Sequence, residues 1–268
     1  MSEVDVFKLR QGSRPLLISM PHVGTEIPAD QRARYQPRAL ATEDTDWHLE
    51  RLYGEIAAEL GASLIVPRYS RFLIDLNRPP EDTPMYPGAS NTELCPTRFF
   101  SGDPIYLDGQ APDAAEKLRR REAYWRPYHD ALQAELDRLK ALHGYALLFD
   151  AHSIKSVLPW LFEGKLPDLN LGTAEGRSCD AAITQGLGAV LAAQGDYTQV
   201  VNGRFKGGHI TRHYGRPDLG QHAVQLEMCW SCYMHEDGSF AYDEARAARV
   251  QPLLRRLLQA YLAWRPAA

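Results

Sequence analysis

The chain has 268 residues, 44% of them hydrophobic and 24% charged, with a formal net charge of −4. That composition suits a globular protein with a sizeable core, and the charge offers neither a basic field for nucleic acid nor a polybasic patch for a membrane surface. No apolar run approaches the roughly 20 residues of a membrane helix, the opening MSEVDVFKLRQGSRP lacks the basic-then-apolar order of a signal peptide, and the four cysteines (Cys95, Cys179, Cys229, Cys232) are too scattered for a disulfide framework. A cytoplasmic protein with reduced thiols is expected.

In chain order, a buried strand is expected over residues 15–20, a helix over 44–60, strands over 62–66 and 72–76, a long helix over 113–142 and a strand over 145–151. A helix over 178–194, strands over 198–201 and 223–228 and a final helix over 242–264 follow. Near-continuous Leu, Ile and Val runs suit strands buried on both faces, and Asp or Ser near several helix starts suits caps. Alternation of this kind predicts an α/β fold with a mixed, mostly buried central sheet flanked by helices, in one domain over 1–268. The stretch 78–108, rich in Pro, Gly, Thr and Asn, is too long for a passive connection and is expected to cover the site.

Ionisable residues collect where these strands end. His22 follows the first; Asp75, Asn77 and Arg78 close or follow the third; Asp150, His152 and Ser153 close or follow the fourth; Glu227 ends the last. A lone histidine after a strand is most often structural, but in an open α/β sheet ligands bind beyond the carboxyl ends of strands, where several loops converge. Two histidines and one carboxylate are the usual protein ligands of a hydrolytic zinc, which lowers the pKa of water to about 7 and leaves a free glutamate to act as base. His22 and His152 are the natural imidazole pair. The carboxylate is Asp46, at the expected start of a helix where it could equally serve as a cap, or Glu26, in the loop of His22.

The segments PHVGTEIP, EDTDWHLERLY, SRFLIDLNRP, FDAHS, NGRFKGGHITRHYG and QLEM, in this order, resemble the N-formylglutamate amidohydrolase family, also called N-formylglutamate deformylases, across residues 15–232. The resemblance implies a phosphorylase/hydrolase-like fold related to zinc carboxypeptidases and aspartoacylase, and hydrolysis of N-formyl-L-glutamate to formate and glutamate in histidine degradation. It implies zinc on His22 and His152, favours Asp46 over Glu26 as third ligand, and makes Glu227 the catalytic glutamate. It further implies that Asn77 and Arg78 hold a substrate carboxylate and that Arg71 lies near the scissile carbonyl.

The residue types fit that chemistry. A glutamate substrate carries two carboxylates, which guanidinium groups recognise through paired hydrogen bonds. The loop 202–215 offers Arg204, Lys206 and Arg212, with Arg212 the first choice; G-G alone marks only a generic turn. Cys229 and Cys232 form a CxxC without a second half and are expected to pack beneath the strand end. His209 and His213 rank below the arginines as cleft residues, and His129 and His143 are expected at the surface or the edge of the core. Other divalent ions, such as manganese, cobalt or iron, also suit such a site. Two further readings remain, a deacylase or exopeptidase for another acyl group and a non-catalytic binding protein for acidic amino acids.

Overall fold

The structure, a computed structural model, describes residues 5–84 and 92–266. Seven strands, β1 (Phe7–Arg10), β2 (Leu16–Ser19), β3 (Ser63–Pro67), β4 (Ala146–Ile154), β5 (Leu169–Gly172), β6 (Gln199–Val201) and β7 (Gln221–Cys229), form one sheet in the order β1-β3-β2-β4-β7-β5-β6. β3, β2, β4 and β7 run parallel; β1 lies antiparallel to β3, and β5 antiparallel to β7. The apolar runs account for the centre: every residue of β2, β3, β4, β5 and β7 is buried. Side chains alternate across the pleat, so Leu16 and Ile18 join one core with α1 (Leu49–Glu59), α4 (Ala181–Ala192) and α6 (Glu244–Ala263). Leu17 and Leu148 join the other with α3 (Arg126–His143) and α5 (His209–Tyr214).

Helix starts follow the sequence signals in three cases. Asp113, Asp180 and Asp243 accept backbone N–H groups at the starts of α2 (Ala114–Arg120), α4 and α6. Between α2 and α3, Arg121–Trp125 forms a π turn. The indole of Trp125 at its end donates to the Arg78 carbonyl at 3.0 Å, fixing the backbone of a cleft residue. Among the described residues no helix is long and apolar enough to cross a membrane.

The structure departs from the sequence expectations in several places. Residues 72–76 are buried but form no strand. Three of their carbonyls are taken instead by side chains: Tyr35 and Tyr106 donate to Phe72 O, Arg120 to Leu73 O and His129 to Leu76 O. Alternation identifies β1 only weakly, because it is a four-residue edge strand with an exposed side, and β5 is four residues with Asn170 and Gly172 in it. The helix expected from residue 44 starts at Leu49, after a turn that ends with His48 at φ 62°. Finally, His129 is buried rather than at the core edge, with Nδ1 on Tyr214 Oη and Nε2 on Leu76 O, both at 2.8 Å. Cys229 and Cys232 are buried free thiols near the carbonyls of Pro167 and Asp168, and burial pushes Cys232 up to about 12.

Candidate active site

The parallel strands deliver their carboxyl ends to one edge, and three of them carry the site. β4 and β7 run alongside each other with Asp150 opposite Gln225 and His152 opposite Glu227, so these four side chains share one face. His152 and Glu227 thus lie within strands that run longer than the sequence pattern implied. His22 stands in the turn after β2, and the Asp46 N–H donates to the His22 carbonyl at 3.0 Å, tying two remote turns together.

His22 Nδ1 lies 3.7 Å and His152 Nδ1 3.1 Å from Asp46 Oδ2. The remaining nitrogen of each ring faces a carboxylate: His22 Nε2 donates to Asp75 Oδ1 at 2.7 Å and His152 Nε2 to Asp150 Oδ2 at 2.9 Å. With Nε2 so engaged, both Nδ1 atoms turn towards Asp46, and the donor atoms of His22, Asp46 and His152 all lie within 4.8 Å of one another. Two imidazoles and a carboxylate, with each imidazole held from behind by an acid, is a donor set that fits a divalent cation. Asp46 does not cap a helix; its Oδ2 also accepts the Ser153 N–H at 3.1 Å. Glu26 lies apart, half-exposed and 2.8 Å from Arg68 Nε.

The electrostatics follow from crowding buried charges. Burial alone would raise Asp46, but the hydrogen bond from His152 and the nearby imidazole of His22 hold it below the ordinary carboxylate range. Burial works to lower His152, and the carboxylates of Asp150 and Asp46 outweigh it, leaving the ring well above its usual value. Among the described residues Glu227 has no hydrogen-bonded partner to offset burial, which pushes it up to about 8 despite the attraction of His152 and Arg71.

These groups line a cleft of about 660 Å³, its open mouth included, together with Arg71, Asn77, Arg78, Thr92, Phe100, Arg204, Gly208 and Gln225. Arg71 is buried; its Nη2 donates to Asp75 Oδ2 at 2.7 Å, and its guanidinium lies 4.7 Å from the centre of the Phe100 ring. Asn77 accepts the Ile210 N–H at 2.8 Å and donates to Asp150 Oδ2 at 3.3 Å. Arg78 is braced by Thr92 and Arg204 by the Leu161 carbonyl. Arg78, Thr92 and Phe100 bring the stretch 78–108 to the cleft, while its residues 85–91 lie outside the described chain. Arg212 is not brought here: its Nε donates to Gly207 O, and it lines a separate hollow with Ala174, Arg177, Ser178 and Gly215. His209 and His213 stack on one another, 5.1 Å apart, outside the lining of the cleft. Asp75 and Gln225 were not singled out as site residues; the signal for Asp75 is an acid closing a buried run two residues before Asn-Arg.

Sheet and cleft together define an α/β protein with an ionisable cleft at the carboxyl ends of parallel strands. The profile of the N-formylglutamate amidohydrolase family matches residues 14–234, and the chain belongs to that family. It is 52% identical over 259 residues to an N-formylglutamate deformylase of Pseudomonas putida, covering 97% of this chain and 96% of the relative. It is 51% identical to one of Pseudomonas aeruginosa, with 97% of each chain covered. The crystal structure of an N-formylglutamate amidohydrolase from Ralstonia eutropha JMP134 superposes with a TM-score of 0.82 at 26% identity, covering 97% of this chain and 98% of that one.

Proposed function

We propose that the chain hydrolyses N-formyl-L-glutamate to formate and L-glutamate in the cytoplasm, with a divalent cation, zinc by the chemistry of its donors, held by His22, Asp46 and His152. The observation that carries the reading is the convergence of two Nδ1 atoms on one carboxylate, with Asp75 and Asp150 behind the rings; the substrate is supported by the near-full-length likeness to two deformylases. Bound there, a cation supplies Lewis acidity and makes water acidic enough to be deprotonated near neutral pH.

The chain's own residues do the rest. Glu227, buried beside His152 on the cleft wall, accepts a proton from the attacking water and returns it to the glutamate nitrogen as the C–N bond breaks and formate leaves. Arg71, steadied by Asp75, donates to the oxygen on which negative charge develops. Arg78, Arg204 and Asn77 receive the carboxylates of the substrate. Formate release from N-formyl-L-glutamate, measured before and after chelation and after adding back zinc or other divalent ions, tests the reading. Activity that stops on chelation and returns with metal is expected, and no formate with any metal would overturn it. Turnover untouched by exhaustive chelation would remove the cation from the proposal.

A further inference from the structure

Gln225 precedes Glu227 by two residues on β7, so the two side chains leave the same face of the sheet, and both line the cleft. Gln225 is 4% exposed, and its Oε1 accepts the Gly208 N–H at 2.7 Å. A backbone N–H can only donate, so this bond settles which end of the amide is oxygen. The two N–H donors on Nε2 are therefore turned away from Gly208. No described residue accepts them, yet Nε2 is not among the polar atoms sealed from solvent without a partner; it opens on the cleft. Gly208 itself lies so close to Asn77 that a Cβ there would stand 2.3 Å from Asn77 Nδ2, which keeps any side chain out of this corner.

We propose that the Gln225 amide receives the side-chain carboxylate of the substrate and sets the preference for an acidic side chain; this rests on the N-formylglutamate reading above. A carboxylate offers only acceptors and suits a pair of unused donors. Reach selects the side-chain carboxylate over the main-chain one. Two residues along a strand span roughly 6.6 Å, and the side-chain carboxyl carbon is five bonds from the formyl carbon attacked near Glu227, whereas the main-chain carboxyl carbon is only three.

The test is Gln225→Glu, which keeps an oxygen for the Gly208 N–H while replacing the free donors with an acceptor, beside Gln225→Leu, which removes both. Steady-state kinetics on N-formyl-L-glutamate and N-formyl-L-glutamine are compared with those of the wild-type enzyme. For Gln225→Glu, kcat/KM on the acidic substrate falls about 100-fold, chiefly through KM. The ratio of acidic to amide substrate drops at least about 10-fold, as expected when a site built for one hydrogen-bonding pattern meets another. Gln225→Leu loses the acidic substrate without gaining the amide one. Equal loss on both substrates, or a fall in kcat alone, would mean a structural role and overturn the inference. If the wild-type enzyme releases no formate, the N-formylglutamate reading fails on its own, and calorimetric binding of L-glutamate still decides this point: affinity lost in Gln225→Glu supports it, and affinity retained overturns it.

Discussion

The imidazole of His22 is gripped from two sides, by Asp75 at 2.7 Å on Nε2 and by Asp46 at 3.7 Å on Nδ1. Asp75 also binds Arg71 and accepts the Asn77 N–H at 2.9 Å, so one carboxylate aligns the His22 ring, a guanidinium and the backbone of Asn77. His22, Arg71 and Arg78 outweigh the cost of its burial and hold it well below the usual carboxylate range. Asp75→Asn keeps the shape but weakens the charge behind the ring, and is expected to lower zinc affinity by about 10–100-fold, read in a competition titration against a chromogenic chelator. Unchanged affinity would mean that Asp46 alone orients His22. Legibility at this scale divides sharply. His22, His152 and Glu227 can be read from the sequence because each ends an apolar run, whereas the role of Asp75 depends on a contact across 53 residues. Arg212 shows the reverse: a glycine-rich loop makes it conspicuous, yet the fold turns it to another hollow.

At the scale of elements, the turn before α1 carries two acids with opposite fates. Asp46 is paired, whereas Asp44 accepts the Phe100 N–H at 2.8 Å and is pushed by burial up to about 6. A carboxyl group whose pKa is higher folded than unfolded contributes stability that is fully present below about 4 and lost as pH rises through about 6. Asn at this position keeps the acceptor and does not titrate. The unfolding free energy of the wild type minus that of Asp44→Asn is therefore expected to fall by about 2 kcal/mol between pH 4 and pH 7, measured by urea denaturation. A pH-independent difference would show that folding does not raise the Asp44 pKa. The four central parallel strands and the helices capped by Asp113, Asp180 and Asp243 are legible because a hydrophobic run or a cap residue is a local signal. Residues 72–76 mislead for the same reason, since burial makes them apolar while remote side chains hold three of their carbonyls and no ladder with a neighbouring strand forms. The short helix α5 is hidden among the glycines of its loop.

For the whole molecule, the three donors come from a turn, a second turn and a strand that meet only in the folded chain, so a cation bound there stabilises the native state by mass action. At a free zinc concentration about 100 times Kd the gain is about 2.7 kcal/mol, which for a chain of this size raises the melting temperature by roughly 5–10 °C. A thermal scan with and without metal checks it, and His152→Ala is expected to abolish the rise; a rise that survives that substitution would locate the cation elsewhere. Residues 72–76 bear on the order in which the molecule assembles. Side chains of Tyr35, Tyr106, Arg120 and His129, gathered from both sides of the segment, hold three of its carbonyls, so local turns at Ser70 and Asp75 order it only in part and the rest waits for long loops to close. Asp75 and Asn77 sit at the end of that segment, and Asn77 lines the cleft, which makes closure of this wall of the cleft one of the last events as the chain folds. In pulse-labelled refolding, the Asp75 amide should gain protection after those of β4, and simultaneous protection would refute that sequence of events.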